Sequence, residues 1–268
     1  MNALFALAKP FLHGMDPEDA HAFTIKTLQH MPVLCTPSAD PMLQQDVFGL
    51  TFAHPLGLAA GFDKQANVMH AMLGLGMGHV EVGTVTPKAQ EGNPRPRIFR
   101  DAGTRAVINR MGFPNPGADV FFDNLHAYRQ NGTGIVGVNI GKNKDSDDAL
   151  ADYAALASRC NGVADYVTIN ISSPNTKNLR ELQSDAALDA LLQKVRNPTA
   201  VAARLAASAI DMVVLRLPPA HAPTIIDPRS GNEPHHIGTV MKNGGFYLEH
   251  AGNDGAFGEY VAYYRRNK

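Results

Sequence analysis

Apolar side chains recur at near-helical spacing over residues 2–13, which predicts a helix at the start of the chain. A second helix is predicted to follow, with Asp16 as its N-cap, Pro17 at its first position and Pro32 just after its end. Two interpretations of this helix pair remain open. The helices pack on their own domain, or they lie in a membrane interface and expose an apolar slot.

From Val47 onward, short runs rich in β-branched residues alternate with longer runs of helical periodicity. The predicted strands are residues 56–60, 79–86, 134–140 and a run from 166 that stops near Ser173. The predicted helices are residues 68–75, 118–130, 147–160 and 181–195. A Pro-rich, hairpin-like piece at 87–100 leads into residues 106–113. Strands that alternate with helices predict parallel βα units.

Small and polar residues recur where these predicted strands end. They are Gly61, Lys64, Gly83, Thr84, Asn109, Asn139, Lys142, Asn170 and Ser173. In a parallel barrel the carboxyl ends of the strands converge on one rim, so we expect these residues to form one ligand site. Each of them alone is equally suited to a turn, a helix cap or a solvated charge. Their recurrence at one rim favours the ligand site.

The composition narrows the function classes. The chain has 268 residues, a formal net charge of -1 and no run of Lys and Arg, so the sequence does not indicate nucleic-acid binding. Cys35 and Cys160 are too few for a disulfide framework or a cysteine-rich metal site, and no metal site is predicted. We find neither a membrane-spanning apolar stretch nor a signal peptide.

Six ordered motifs resemble the quinone-dependent (class 2) dihydroorotate dehydrogenases. They are GLAAGFDK at 57–64, EVGTVTP at 81–87, GNPRPR at 92–97, NRMGF at 109–113, VNIGKNK at 138–144 and NISSPNT at 170–176. The resemblance covers residues 1 to about 197. It implies a (β/α)8 barrel that contains FMN, oxidises dihydroorotate to orotate in pyrimidine (UMP) synthesis, and passes electrons to a membrane quinone.

The resemblance also implies a role for the N-terminal helices. They would form the quinone tunnel and contact the membrane peripherally, at the cytoplasmic face of a bacterial inner membrane. The resemblance therefore favours the second interpretation of the helix pair, in which it lies in a membrane interface. The implied domain organisation is a helical segment at 1–42, the first half of an FMN-binding barrel at 43–197, and a divergent tail at 198–268.

Residue roles follow from the resemblance position by position. Ser173 matches the catalytic base, which takes a proton from the dihydropyrimidine while the neighbouring carbon gives a hydride to the flavin. The positions that match FMN contacts are Ala60, Gly61, Lys64, Thr84, Asn139 and Asn170. The positions that match the substrate pocket are Lys64, Asn109, Arg110, Met111, Gly112, Phe113, Asn170 and Asn175. Because a serine hydroxyl is a weak base, Ser173 needs a hydrogen-bonded relay or water.

The family pattern is not found after Asn197. The expected lysine of the fifth strand and the glycine-rich turns that hold the FMN phosphate are missing from residues 198–268, whose composition is typical of loops. Residues 212–217 could imitate one strand, with Arg216 near the place of a flavin-side lysine. The tail histidines, at 221, 235, 236 and 250, match no familiar metal-ligand spacing. The barrel is therefore expected to be incomplete.

Two alternatives to a working enzyme remain open. The chain could be an inactive truncated or fused fragment of the enzyme, or a non-enzymatic module that holds a small ligand at its polar rim.

Overall fold

The computed structural model describes residues 2–31, 40–47, 50–101, 103–104, 106–173, 176, 179–196, 212–217, 246–249 and 259–264. The helices are α1 (Asn2–Gly14), α2 (Pro17–Gln29), α3 (Met69–Gly74), α4 (Ala118–Arg129), α5 (Ala149–Cys160) and α6 (Asp185–Arg196). The strands are β1 (Gln45–Val47), β2 (Leu50–Phe52), β3 (His79–Val85), β4 (Ile98–Asp101), β5 (Ala106–Asn109), β6 (Ile135–Ile140), β7 (Tyr166–Asn170), β8 (Met212–Leu217), β9 (Phe246–Glu249) and β10 (Glu259–Tyr264).

The N-terminal helix pair forms as its sequence predicts. The Asp16 carboxylate accepts hydrogen bonds from the backbone N–H groups of Glu18 and Asp19, and Pro17 opens α2. None of the helices in the described ranges is both long and apolar enough to cross a membrane.

The main sheet has the strand order β3-β6-β7-β8-β10-β9. The pairs β3–β6, β6–β7 and β7–β8 are parallel, while β10 pairs antiparallel with both β8 and β9. The parallel part is the start of the expected α/β barrel. The described part of the sheet begins at β3 and ends at β9, so it is an incomplete barrel.

Strands β3, β6 and β7 have two buried faces, one apolar and one polar. Because strand side chains alternate, Val80, Val82, Val138 and Ile169 lie on one face, and their apolar side chains join α4 and α5 in the hydrophobic core. The other face is polar and buried. Its members include Glu81, Asn139, Thr168 and Asn170. This polar face positions the candidate site.

Two predicted elements differ from the structure. The strand predicted at 56–60 is reduced to one parallel bridge between Leu58 and Val80, because Gly57 packs directly on the His79 ring and Gly61 turns the chain with a φ of 101°. The prediction of one helix over residues 181–195 is wrong at its start. A 3₁₀ turn at Leu179–Gln183 precedes α6.

The tail was predicted to consist mainly of loops, and that prediction is wrong for three segments. Strands β8, β9 and β10 form there, and β8 extends the parallel sheet beside β7. The backbone of Arg216 is in register with Asn170. The tail histidines and the Gly-Gly pair at 244–245 lie outside the described residues.

Candidate active site

The segment before α3 forms one wall of the site. It runs beside β3, where the N–H of Gly61 donates to the Gly83 carbonyl at 2.8 Å and the N–H of Gly83 donates to the Asp63 carbonyl at 2.9 Å. These bonds place Ala60, Gly61 and Lys64 beside the carboxyl end of β3. The Asp63 side chain holds the turn by accepting backbone N–H groups, including that of Val68 at 2.9 Å. Burial raises the pKa of this carboxyl, and the backbone donors oppose the shift.

The carboxyl ends of β3, β6 and β7 bring three predicted site residues into contact. The Thr84 hydroxyl donates to Asn139 Oδ1, and Asn170 Nδ2 donates to Thr84 Oγ1 at 3.2 Å and to Asn139 Oδ1 at 3.1 Å. All three side chains are buried. They therefore form one polar cluster, as expected for strand ends that share a rim.

Ser173 lies just beyond the end of β7 and is half-buried. Its neighbour Ser172 is tied to the cluster, since both its N–H and its hydroxyl donate to Asn170 Oδ1, at 3.3 and 3.0 Å. The turn that carries Ser173 therefore starts from the same asparagine that closes the cluster. Asn175, the other predicted residue of this turn, lies outside the described residues.

The substrate-side motif at 109–113 divides between two locations. Asn109 and Arg110 are exposed and bond within the β4–β5 hairpin region, where the Arg110 guanidinium donates to the Pro96 carbonyl at 3.0 Å. Phe113 instead reaches the cluster. A Cβ added at Gly141 would lie 3.2 Å from the Phe113 ring and 2.7 Å from the Thr84 methyl, so both side chains border Gly141. Met111 and Gly112 form the connection between these locations, and Gln90 Nε2 donates to the Gly112 carbonyl at 3.0 Å.

Lys64 connects the site to the N-terminal helix pair. Burial lowers the pKa of its ammonium group, Glu18 opposes that shift, and Arg97 adds to it. Burial and the charge of Lys64 together lower the pKa of His21, whose Nε2 lies 2.7 Å from the Phe62 carbonyl. The segment just before Lys64 therefore lies between β3 and α2, because Phe62 contacts His21 and Asp63 accepts from Gly83.

The buried carboxylate of Glu81 received no role from sequence reasoning, whereas the buried Lys142 was among the residues expected at the strand ends. Glu81 lies on the polar face of β3, and Lys142 follows β6. The available signal for Glu81 was a carboxylate inside an otherwise apolar strand, flanked by Val80 and Val82. A charge at such a position is costly unless it is hydrogen-bonded, so it required a partner.

A polar cavity of about 470 Å³ lies between the segment after β3 and the loop after β6. It is lined by Lys88, Ala89, Gln90, Glu91, Gly92, Gly112, Asn143, Lys144, Asp145, Ser146, Asp147 and Asp152. Asn143 joins the two segments, since its Nδ2 donates to the Lys88 carbonyl at 2.9 Å and to Gln90 Oε1 at 3.0 Å. In the described part of the chain, no group of three or more His, Cys, Asp or Glu side chains is arranged to hold a metal ion.

Comparison with known proteins shows that the chain matches one protein family. The model of the dihydroorotate dehydrogenase family matches residues 42–227. The match continues past Asn197, where sequence reasoning ended the resemblance, and it includes β8.

Similar proteins are longer than this chain. A dihydroorotate dehydrogenase (quinone) of Erythrobacter litoralis is 52% identical over 192 residues, which are 72% of this chain and 56% of that protein. One of Sphingopyxis alaskensis is 48% identical over 227 residues, which are 84% of this chain and 62% of that protein. A crystal structure of DHODH from Eimeria tenella in complex with ferulenol matches with a TM-score of 0.63 and 43% identity, and covers 68% of this chain and 50% of that one. The chain thus spans little more than half the length of the curated relatives it matches.

Proposed function

The chain belongs to the dihydroorotate dehydrogenase family, and we propose that its site oxidises dihydroorotate to orotate in pyrimidine biosynthesis, with FMN as cofactor and a quinone as electron acceptor. The observation that carries this proposal is the cluster of Thr84, Asn139 and Asn170, which borders the turn of Ser173 and the segment of Lys64.

The residues around this cluster fit a flavin ring. Gly61 is exposed and has a positive φ, and a Cβ added there would meet no atom within 4 Å, so a flat ring has access to the backbone. We assign Ala60, Gly61, Lys64, Thr84, Asn139 and Asn170 to FMN. When bound, FMN supplies hydride acceptance and onward electron transfer. The positive charge of Lys64 would favour an anionic partner beside it.

The substrate is assigned to the side of the cluster that faces Phe113 and the turn after β7. Dihydroorotate presents amide edges and a carboxylate, which suit asparagine side chains, backbone N–H groups and the Lys64 cation. The residues assigned to this side are Lys64, Met111, Gly112, Phe113, Asn170 and Asn175. The resemblance adds Asn109 and Arg110, which lie in the β4–β5 hairpin region. Ser173 takes the proton from the substrate carbon through its hydroxyl, and the hydroxyl's own proton passes to a hydrogen-bonded relay or water.

The N-terminal helix pair supports the quinone part of the proposal. Phe11 is 61% exposed and Phe23 48% exposed, and their rings pack edge to face with centroids 5.9 Å apart. The β4–β5 hairpin exposes Val107 and Ile108, and Arg100 of β4 donates to carbonyls at the end of α1. Exposed apolar groups on adjoining elements are suited to an apolar quinone and a membrane surface. We place the protein peripherally at the cytoplasmic face of a bacterial inner membrane.

An absorbance spectrum tests the proposed function. The purified chain is kept in excess FMN, so that a weak site stays filled, and is mixed with dihydroorotate without oxygen. Bleaching of the flavin band is expected. A flavin that binds but is not bleached by dihydroorotate would favour the small-ligand binding module, and a chain that binds no FMN in a titration would favour the inactive fragment.

A further inference from the structure

Glu81 is a carboxylate buried inside the incomplete barrel, on the polar face of β3, with a relative exposure of 6%. Within the described residues, the side chains of Asn139, Thr168 and Tyr166 donate to it. Asn139 Nδ2 lies 2.8 Å from Oε1, while the Thr168 hydroxyl and the Tyr166 hydroxyl lie 3.0 and 3.3 Å from Oε2. These donors come from β6, which pairs with β3, and from β7, the next strand of the sheet. The carboxylate therefore joins the three strands whose ends form the candidate site.

Gly137 makes room for one of these contacts. A Cβ at this position would lie 2.1 Å from Cζ of Tyr166, so the tyrosine ring lies directly over the glycine. Any larger residue at 137 would displace the ring that brings the Tyr166 hydroxyl to Glu81. The local sequence of β6 is thus matched to the carboxylate on β3.

The bond from Asn139 to Glu81 determines which way the asparagine amide points. A carboxylate only accepts hydrogen bonds, so the amide nitrogen of Asn139 turns toward Glu81. Its oxygen then turns toward the strand ends, where it accepts from the Thr84 hydroxyl and from Asn170 Nδ2 at 3.1 Å. Because Asn170 Nδ2 donates to Asn139, Asn170 Oδ1 points the other way and accepts from the N–H and the hydroxyl of Ser172.

The reverse orientation would break this chain of bonds at each step. A flipped Asn139 would present its NH2 group to the NH2 group of Asn170, which would have to flip in turn. A flipped Asn170 would then direct its NH2 group at the backbone N–H of Ser172, which can only donate. One orientation of all the amides is therefore consistent: the Glu81 carboxylate selects it at the Asn139 end, and the Ser172 N–H agrees with it at the Asn170 end.

We propose that Glu81 is a positioning residue: it sets the orientation of the Asn139 amide and, through it, the pattern of donors and acceptors that Asn139 and Asn170 present at the strand ends. The orientation is a property of the chain itself. Only its consequence for FMN and dihydroorotate rests on the proposed function.

Side-chain amide NMR of the full chain tests the proposal directly. In the unmodified chain, the NH2 group of Asn139 is expected to exchange with solvent at least tenfold more slowly than that of exposed Asn131, since a hydrogen bond to a charged group is worth about 1.5–3 kcal/mol. Equal exchange rates for the two amides would overturn the proposal without any variant being needed.

Variants separate positioning from general stability. Glu81→Ala is expected to shift the amide resonances of Asn139 and Asn170 and to speed their exchange about tenfold or more. Glu81→Gln is expected to retain the unmodified resonances, because its amide oxygen can still accept from Asn139 while the hydroxyls of Thr168 and Tyr166 rotate to accept from its NH2 group. Unshifted resonances in Glu81→Ala would refute the role of Glu81.

The matched control removes another partly buried carboxylate from the same sheet. Asp165 precedes β7 and accepts from Arg129 and from the N–H of Val136. Asp165→Ala is expected to lower the melting temperature while leaving the Asn139 and Asn170 amides unchanged. Equal amide changes in both variants would mean that Glu81 acts only through stability.

FMN titration of the same samples is a separate measurement. An unmodified chain that binds no FMN would contradict the proposed function, while the amide data would still decide the role of Glu81.

Discussion

At the scale of single residues, Ser173 carries the chemical step of the proposed reaction. Replacing it with alanine removes the hydroxyl that takes the substrate proton but leaves the Thr84–Asn139–Asn170 cluster in place. We expect Ser173→Ala to keep its FMN affinity and to slow flavin reduction by about 10²–10⁴-fold. Rapid-mixing absorbance at the flavin band measures this rate. Ser184→Ala, which changes an exposed hydroxyl outside the site, is the control, and an unchanged rate in Ser173→Ala would reject the assignment.

Lys64 is expected to affect binding more broadly than Ser173. It follows the segment that runs beside β3, and burial lowers the pKa of its ammonium group. Lys64→Ala should weaken both FMN and dihydroorotate, because it removes a cation assigned between two anionic ligands. Fluorescence titration of each ligand would test this, and unchanged affinity for both would contradict it.

At the scale of elements, an ion pair holds α2 to the segment before β4. Arg97 and Glu18 are hydrogen-bonded and both mostly buried, with side chains 8% and 12% exposed. The bond to Arg97 lowers the pKa of the Glu18 carboxyl, so its contribution to stability is present at neutral pH and is lost as the pH falls below the usual carboxyl range. We expect Arg97→Ala to lower the free energy of unfolding by about 2 kcal/mol at pH 7.

Arg95 provides a matched control for this prediction. It pairs with the same Glu18 carboxylate, but its side chain is 57% exposed. In chemical denaturation, Arg95→Ala should cause a much smaller loss than Arg97→Ala, because exposed ion pairs contribute little. Equal losses of unfolding free energy in the two variants would show that burial does not make the Arg97–Glu18 pair more stabilising than the Arg95–Glu18 pair.

His79, the first residue of β3, makes the free energy of unfolding depend on pH. Burial, and then the charge of His54, lower the pKa of His79, so the folded state favours the neutral ring. In the unfolded chain a histidine titrates near pH 6.5. The contribution of His79 to the free energy of unfolding should therefore be complete above pH 6.5. Below that pH it should fall by up to about 1.4 kcal/mol per pH unit.

Urea unfolding at pH 7.5, 6.5 and 5.5 measures this dependence. His79→Leu should flatten the curve in part, since the pKa of His21 is also lowered and its contribution remains. A curve with the same slope in both proteins would rule out His79 as the cause.

At the scale of the whole molecule, the described sheet has two ends. It runs from β3 to β9 and turns antiparallel at β10, whereas a closed barrel pairs every strand on both sides. Unpaired strand edges favour association with other chains. The loops that bind the FMN phosphate in the resembled family follow later strands of the barrel. We therefore expect the 268-residue chain to hold FMN weakly and to self-associate or seek a partner.

Light scattering and FMN fluorescence quenching together test this expectation. The full chain is measured with and without added FMN. A monodisperse monomer that holds FMN tightly would show that the tail completes the barrel after all. Aggregation that added FMN does not reduce would agree with the prediction.

The sequence by itself determined the local structure and the family. Short runs rich in β-branched residues located β3, β6 and β7, and Asp16 and Pro17 located the start of α2. The motifs indicated the family before any contact was known. These features depend on neighbours within a few residues, so periodicity and capping chemistry are enough to find them.

Only the tertiary structure decided which of these residues meet. Glu81 and Asn139 are 58 positions apart, and their contact depends on the register of β3 with β6 and on a glycine that admits the ring of Tyr166. The same holds for β8: its segment has the composition of a strand, but only the structure shows that it pairs in parallel with β7. Pairing between strands is a long-range interaction, and the energy that selects it comes from packing and buried hydrogen bonds that no local pattern contains.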